Sequence, residues 1–533
     1  MRVVDSLSKR RSEKGESPGG AEPGASFVVG ALLFCGAFGL YLATLAPTVL
    51  YYDLPDLRDS AVLQTRAYVL GVPDYTGYPT YIVLAHLFTY LPFGDPAYRV
   101  NLASAVYAGG AVALTFASAR LLTGRIAVSL AGALAFALGP IFWSQAVIAE
   151  VYSLNALLVA ASVAVLLMWS RARRDGYLLL ACSLMGLSLT NHITSGLVVA
   201  GAFVLVGLTE RRKLLEWRLG LKGGLLFLAG LLPYLYLPLR ASMDYLPEGL
   251  AWGQPAVRRY PPDTLYGFYN LVSGGEWGER LWAFGPSALA GRTLMYLDRL
   301  CGSGGEFGVW FVALGVAGGF YLVYRHPPEG CFLALLYFGW LFHALEYDIE
   351  DIEVYFIPTF FITSLFAAVG LSGGLGLLER YAPGGSLKKA AAAGLPLLAL
   401  AFVFAGVGEK FRASDMSEDF RGREIMDAVA SETPGGATVL HHRSPLDYMV
   451  AVENRRTDLK LVPYLEEINS PGIVRGVVES RRAPTYVLFP AYASTIYSPG
   501  VEQSQRFYRR YGYDLTPVNR DLLLYRVVPP GGG

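Results

Sequence analysis

Asp59–Tyr81, DSAVLQTRAYVLGVPDYTGYPTY, follows closely on a long apolar run and sets acids, an Arg, several tyrosines and a Gly-Tyr-Pro turn beside one another. The preceding run, Ser26–Ala46, carries no charge. About 20 apolar residues suffice for an α-helix to cross the hydrocarbon core. The polar stretch therefore begins where a membrane span ends. Its apolar pieces, Asp59–Leu70 and Tyr78–Leu91, are each too short to span and are punctuated by Pro73, Pro79 and Pro92. That pattern predicts two helices lying along the membrane surface.

The same contrast runs through the chain. Of its 533 residues 53% are hydrophobic and 16% charged, against about 25% charged in soluble chains. The apolar runs predict a polytopic α-helical membrane protein with spans at Ser26–Ala46, Val100–Leu121, Ile126–Phe142, Tyr152–Trp169, Tyr177–Leu189, Ser195–Leu208, Gly223–Leu239, Phe307–Tyr324, Cys331–Leu345, Val354–Leu371 and Ala390–Val407, about eleven in all. A net charge of +1 gives no footprint for nucleic acid. Cys35, Cys182, Cys301 and Cys331 show neither metal-ligand spacing nor a disulfide framework. Residues 1–25 are polar and rich in Gly, Ser and Pro, which predicts a disordered cytoplasmic tail. No small-residue cleavage site follows the first apolar run, which is expected to stay as an anchor.

Basic residues set the expected orientation. Lys9, Arg10, Arg11 and Lys14 place the N-terminus inside, and Arg120, Arg125, Arg171, Arg173, Arg174, Arg325, Arg380, Lys388 and Lys389 follow on inner turns. Arg211, Arg212, Lys213 and Lys222 join them only if Tyr177–Leu208 is two short helices broken at Thr190-Asn191-His192-Ile193-Thr194. That reading is adopted. It leaves a transmembrane domain over 26–408 with outer loops at 47–99 and 240–306. Every unusual polar motif then falls outside: the Asp59 stretch, WSQAVIAEVYSLN (Trp143–Asn155), the TNHIT break, YLPLRA ending at Arg240–Ala241, and EYDIEDIEVYF (Glu346–Phe356). Such a concentration of polar groups in loops on one face reads as a site. Beyond residue 409 helix-like and strand-like pieces alternate, predicting a small extracytoplasmic α/β domain, 409–533, with a mostly parallel sheet and no phosphate-binding glycine signature.

Asp59 is the leading general-base candidate, since a carboxylate can take the proton of an attacking hydroxyl; the alternative is a helix N-cap. Asp53 and Asp56 read as solvated loop acids, and Asp74 as an acceptor contact or a turn-former. Arg240 offers bidentate donors to a phosphate, or else snorkels at a helix boundary; Arg66 has the same two readings. His192 with Asn191 sits in a polar break, either donating to phosphate or sugar or acting as a satisfied interfacial histidine. Glu150 heads a span, as a functional acid or as a charge favourable at a helix N-terminus. Asp348, Glu350, Asp351 and Glu353 precede Tyr355 and are expected to be solvated or paired with Arg240 and its neighbours. No motif requires a metal.

Several blocks occur in one order: Asp59-Ser60, Gly71-Val72-Pro73, Gly77-Tyr78-Pro79 with Tyr81, then Asn101, WSQAVIAEVYSLN, TNHIT, YLYLPLRA, Trp252-Gly253-Gln254-Pro255 and DIEVYF through Pro358. They resemble the GT-C-fold membrane family long labelled domain of unknown function 2723, whose vertebrate member is an endoplasmic-reticulum protein O-mannosyltransferase. The likeness covers roughly Thr48–Pro358, and looser similarity continues at ATVLHHRSPLDYMVAVENRRTDLKLV. It implies a transferase that uses a polyprenyl-phosphate sugar and no cofactor, with Asp59 as base and Arg240 and His192 on the phosphate side. Tyr78, Glu150, Tyr152, Asn191, Asp351 and Tyr355 complete the candidate substrate contacts, with Asp74. Two departures stand out: Val62 where the family pattern has Glu, and Asp74-Tyr75-Thr76 where it has His-Pro-Pro. The expected function is transfer of a sugar, such as mannose, to a protein or glycan hydroxyl on the outer face of the cell membrane, with inversion. The alternatives are a transporter or flippase, and a catalytically degenerate lipid-binding member.

Overall fold

The computed structural model describes residues 23–51, 59–73, 76–243, 261–381, 384–442, 444–463, 469–480, 483–489 and 500–529. Residues 1–22, Asp53, Asp56, Asp74, Tyr75 and the Trp252–Pro255 block lie outside the described residues. The helical part runs α1 (Pro23–Ala43), α2 (Ser60–Val69), α3 (Pro79–Phe88), α4 (Pro96–Thr123), α5 (Ile126–Ala137), α6 (Pro140–Ala146), α7 (Val151–Ala172), α8 (Asp175–Leu189), α9 (Gly196–Glu210), α10 (Trp217–Gly230), α11 (Tyr236–Ala241), α12 (Leu265–Ser273), α13 (Pro286–Cys301), α14 (Val309–Arg325), α15 (Pro327–Glu346), α16 (Ile357–Tyr381), α17 (Gly385–Phe404) and α18 (Val407–Ser414).

Among the described residues eight helices are long and apolar enough to cross a membrane, or nine if α5 and α6, bent by 68°, count as one span. Expected spans Tyr177–Leu189 and Phe307–Tyr324 correspond to α8 and α14, which at 15 and 17 residues are shorter than the roughly 20 residues of a straight crossing. Both pack closely on neighbouring helices. A Cβ on Gly318 of α14 would lie 1.9 Å from the Phe366 carbonyl of α16, and one on Gly186 of α8 would lie 2.2 Å from the Phe227 carbonyl of α10. Small residues let backbones approach in this way. The break at Thr190–Ser195 is real: α8 ends at Leu189, a 3-10 turn covers Ile193–Ser195, and α9 begins at Gly196.

Of the two expected surface helices, α2 differs from expectation, whereas α3 is buried on one side only. α2 is not half-exposed: Ser60 through Ala67 are all buried. Leu63 and Ala67 join an apolar cluster with Tyr81 and Ile82 of α3 and Val100 of α4, whereas Ala61 joins the core of the C-terminal domain. With protein on two sides α2 has no membrane-facing stripe, so its weak amphipathic pattern follows.

The C-terminal domain comprises α19 (Arg421–Glu432), β1 (Thr438–His441), α20 (Leu446–Ala451), β2 (Lys460–Pro463), β3 (Thr485–Leu488), α21 (Val501–Arg510), β4 (Asp514–Asn519) and β5 (Leu524–Val528). The sheet order is β2-β1-β3-β5-β4. β1 pairs in parallel with β2 and β3, but β5 runs antiparallel to both β3 and β4. The sheet is therefore mixed rather than mostly parallel. β4 escapes the sequence pattern because Pro517 lies within it, and proline is tolerated on an edge strand.

Arg423 anchors this domain to the bundle. Its Nη2 donates to Thr48 Oγ1 at 2.9 Å and Asp95 Oδ2 at 2.8 Å, and its Nη1 to Glu453. Asp95 is also the N-cap of α4, accepting from the Tyr98 N–H at 2.7 Å. Tyr51 reaches the far end of β3, its hydroxyl donating to the Phe489 carbonyl at 2.6 Å. Thr48 and Tyr51 are thus both tied to the C-terminal domain.

Candidate active site

Asp59 occupies the N-cap position of α2, yet its side chain makes no cap hydrogen bond. Capping does not account for this acid. The helix behind it is fixed by buried amides: Gln64 Nε2 donates to Asn101 Oδ1 at 2.7 Å, Gln64 Oε1 accepts from the Leu50 N–H at 3.2 Å, and Asn101 Nδ2 donates to the Ala46 carbonyl at 3.0 Å. Fully paired buried polar groups of this kind fix one arrangement.

After α2 the chain turns at Gly77-Tyr78-Pro79. Gly77 has φ +88, and a Cβ there would lie 2.7 Å from Leu237 Cδ1. Tyr78 is itself left-handed at φ 39, a region that non-glycine residues seldom enter and that often marks functional sites. Pro79 then opens α3. The turn places the Tyr78 ring in stacked orientation on His192, centroids 6.3 Å apart.

His192 lies at the centre of an aromatic and imidazole cluster. Its ring is 5.7 Å from Tyr152 and 5.3 Å from Tyr355, with Tyr152 and Tyr355 5.8 Å apart. His343 and Tyr347 extend it, 6.1 and 5.4 Å from Tyr355. Glu150 and Asp351 lie within electrostatic range of Tyr152. Five elements contribute: the turn before α3, the head of α7, the break between α8 and α9, the end of α15, and the 3-10 turn Ile352–Phe356. Burial, with His343 second, holds the His192 imidazole down at about 3. It is neutral at pH 7, a hydrogen-bonding group rather than a cation, and its Nδ1 is 2.7 Å from Thr194 Oγ1. Asn191 is fully buried, its Nδ2 donating to the Val151 carbonyl at 3.3 Å while Oδ1 has no hydrogen-bond partner. Glu150 is the N-cap residue of α7 but makes no side-chain cap bond.

Tyr78, Glu150, Tyr152, Asn191, His192, Asp351 and Tyr355 are therefore brought together. The apolar cluster seating α2 carries Tyr78 and Tyr152 at its margin. Asp74 lies outside the described residues.

Arg240 is placed differently from expectation. Its Nε donates to the Leu70 carbonyl at 2.7 Å and its Nη2 to the Val69 carbonyl at 3.0 Å. A cation on the last carbonyls of a helix is favourable in itself. These carbonyls stand about 15 Å along α2 from Asp59, at 1.5 Å per residue. A base and a leaving-group phosphate must flank one anomeric carbon, so this position serves the helix end better than the reaction. Nor does Arg240 pair with the acidic run in any ion pair of the described residues. Glu353 instead takes Arg299 at 2.6 Å, and Arg292 holds the carbonyls of Ala344, Leu345 and Tyr347.

His343 and Tyr347 were missed in the sequence, although a lone His in an apolar run with a Tyr four residues on is a readable same-face pair. Arg66 was noted there without an assignment, and the sequence could not separate it from Arg240.

The fold matches solved membrane transferases along its length. ArnT from Cupriavidus metallidurans, in a crystal structure bound to undecaprenyl phosphate, superposes with a TM-score of 0.59 at 13% identity, covering 94% of this chain and 98% of ArnT. The oligosaccharyltransferase of Archaeoglobus fulgidus, solved with Zn and sulfate, gives 0.53 at 14% identity over 86% of this chain and 68% of that one. Residues 59–216 match the family model of the Protein O-mannosyl-transferase TMEM260 N-terminal domain. Over that stretch the chain resembles the N-terminal domain of the TMEM260 proteins, and its overall fold is that of the two solved structures. The family match opens on Asp59 itself. The mouse Protein O-mannosyl-transferase TMEM260 is 34% identical over 227 residues, 41% of this chain and 31% of the mouse protein. The Dictyostelium discoideum protein of the same name is 22% identical over 454 residues, 75% of this chain and 53% of its own length. The chain thus spans about a third to a half of the length of the relatives it matches.

Proposed function

We propose that the protein transfers a sugar, mannose being the first choice, from a polyprenyl phosphate to a protein or glycan hydroxyl on the outer face of the cell membrane, with the N-terminus inside. Asp59 takes the proton of the acceptor hydroxyl as the oxygen attacks the anomeric carbon. The bond from that carbon to the phosphate oxygen breaks on the opposite face, so the configuration inverts and polyprenyl phosphate leaves. Glu150, Asp351, Asn191 and neutral His192 offer hydrogen bonds to sugar hydroxyls, and Tyr78, Tyr152 and Tyr355 offer ring faces. The lipid-linked sugar is the co-substrate, and the step as written uses no metal.

The observation carrying this reading is an acid at a helix start that does not serve as its cap, at the first residue of the stretch matched to a domain whose relatives are named O-mannosyltransferases. The undecaprenyl phosphate bound to ArnT supports the class of lipid. The test is incubation of the purified full chain with radiolabelled polyprenyl-phosphate hexoses beside Asp59→Asn. Transfer that depends on Asp59 supports the reading, and equal turnover by the variant removes Asp59 from its role.

A further inference from the structure

The last turn of α2 carries two guanidinium groups, and they are not equivalent. Arg240, reaching in from α11, is satisfied by the Leu70 and Val69 carbonyls. Arg66 is 2% exposed and its Nε has no hydrogen-bond partner. Its guanidinium forms no ion pair with the described residues. An arginine stays charged in proteins, and a buried charge without a counter-charge is strongly unfavourable.

The rest of α2 shows which way Arg66 faces. Leu63 and Ala67 pack against α3 and α4, Gln64 bonds Asn101, and Ala61 faces the C-terminal domain. Asp59, Val62 and Arg66 share the remaining face, at i, i+3 and i+7. Val62 stands four residues before Arg66, where a carboxylate would pair with it, and valine cannot. Helical side chains tilt toward the N-terminus, so Arg66 leans toward Asp59, whose Cα is about 10 Å away along the axis. A hexose bridges such a gap once the arginine side chain has used part of it.

We infer that Arg66 is the counter-charge for a phosphoryl oxyanion bound on the Asp59 face of α2. A lipid-borne phosphate and free inorganic phosphate are two sources of this chemistry, and the lipid source rests on the function proposed above. Arg66, not Arg240, then faces the leaving group.

The test uses the full chain in detergent, with Tm and affinity read for geranylgeranyl phosphate, inorganic phosphate and geranylgeraniol. The expected result is that geranylgeranyl phosphate binds and raises Tm, that geranylgeraniol gives a smaller shift, and that Arg66→Met weakens phosphate-dependent binding tenfold or more. Without anion Arg66→Met is at least as stable as the parent, because the unpaired charge is gone. Val62→Glu supplies an internal partner, so it raises the anion-free Tm and weakens anion binding; this keeps the test open if Arg66→Met misfolds. An equal shift with inorganic phosphate assigns the site to the free anion. No binding by the parent, or an affinity within twofold in both variants, overturns the site. Loss of anion-free stability in Arg66→Met with its anion shift intact makes Arg66 structural and also overturns it. If Arg66-dependent binding persists but the parent transfers no sugar, the anion site stands and the transferase reading falls. Unchanged transfer in Arg66→Met has the opposite meaning.

Discussion

Gly77→Ala tests the turn on which the site depends. The backbone there has φ +88, and the new Cβ would meet Leu237 Cδ1 at 2.7 Å and Cδ2 at 3.0 Å. Leu237 is fully buried and has little room to move aside. The left-handed conformation costs an L-residue about 1–2 kcal/mol, and crowding a packed core about 1–3 kcal/mol more. The expected loss is about 2–5 kcal/mol. Gly274 provides the control, with φ +93 and only Thr76 Cγ2 nearby at 4.0 Å, so Gly274→Ala should lose only the backbone part, about 1–2 kcal/mol. Unfolding in mixed micelles measures both. Gly77→Ala also swings Tyr78 from His192, so transfer should fall with stability. In the Gly77→Ala background Leu237→Ala should lose less than it does alone, as coupled neighbours do. If Gly77→Ala is no worse than Gly274→Ala, the reasoning about this turn is wrong.

Asp59→Asn should lower transfer by about 10²–10⁴-fold, the range for general-base catalysis, read as labelled sugar transferred; a rate equal to the parent's would remove Asp59 from that role. Arg423→Met removes charge-assisted bonds to Thr48, Asp95 and Glu453, which should weaken domain docking by about 2 kcal/mol and speed proteolytic release of the C-terminal domain; an unchanged cleavage rate would refute its anchoring role. Burial raises the Glu306 carboxyl from 4.5 to about 7, opposed by the Ile141 and Phe142 N–H groups and Lys410. The folded state keeps this proton where the unfolded state has released it, so stability should fall as pH rises from about 4.5 to about 7 and level above, by on the order of 3 kcal/mol. Glu306→Gln should flatten that stretch of the pH profile.

The spans were legible because apolar length is a local property, and the break before α9 because loop charge decided between two readings. The residues that cluster around His192 were also legible as candidates, since Tyr78, Glu150, Tyr152, His192 and Tyr355 sit in polar islands at helix ends. Non-local facts were not. Whether Arg240 or Arg66 finds carbonyl partners depends on where α11 meets α2. The burial of α2 depends on a domain that begins some 350 residues downstream. The antiparallel half of the sheet was hidden by Pro517, which a local reading takes as a strand breaker.

Tyr51 reaches Phe489 across 438 residues of chain, and α2 is covered by a helix at Leu446–Ala451. At about 5–20 residues per second of synthesis, the Asp59 segment leaves the ribosome roughly 20–90 s before its lid exists. The helix that Asp59 heads is covered last although it is made early. A nascent or truncated chain would hold the bundle without a closed site, which delays any chemistry at Asp59 until synthesis of the protein is nearly complete.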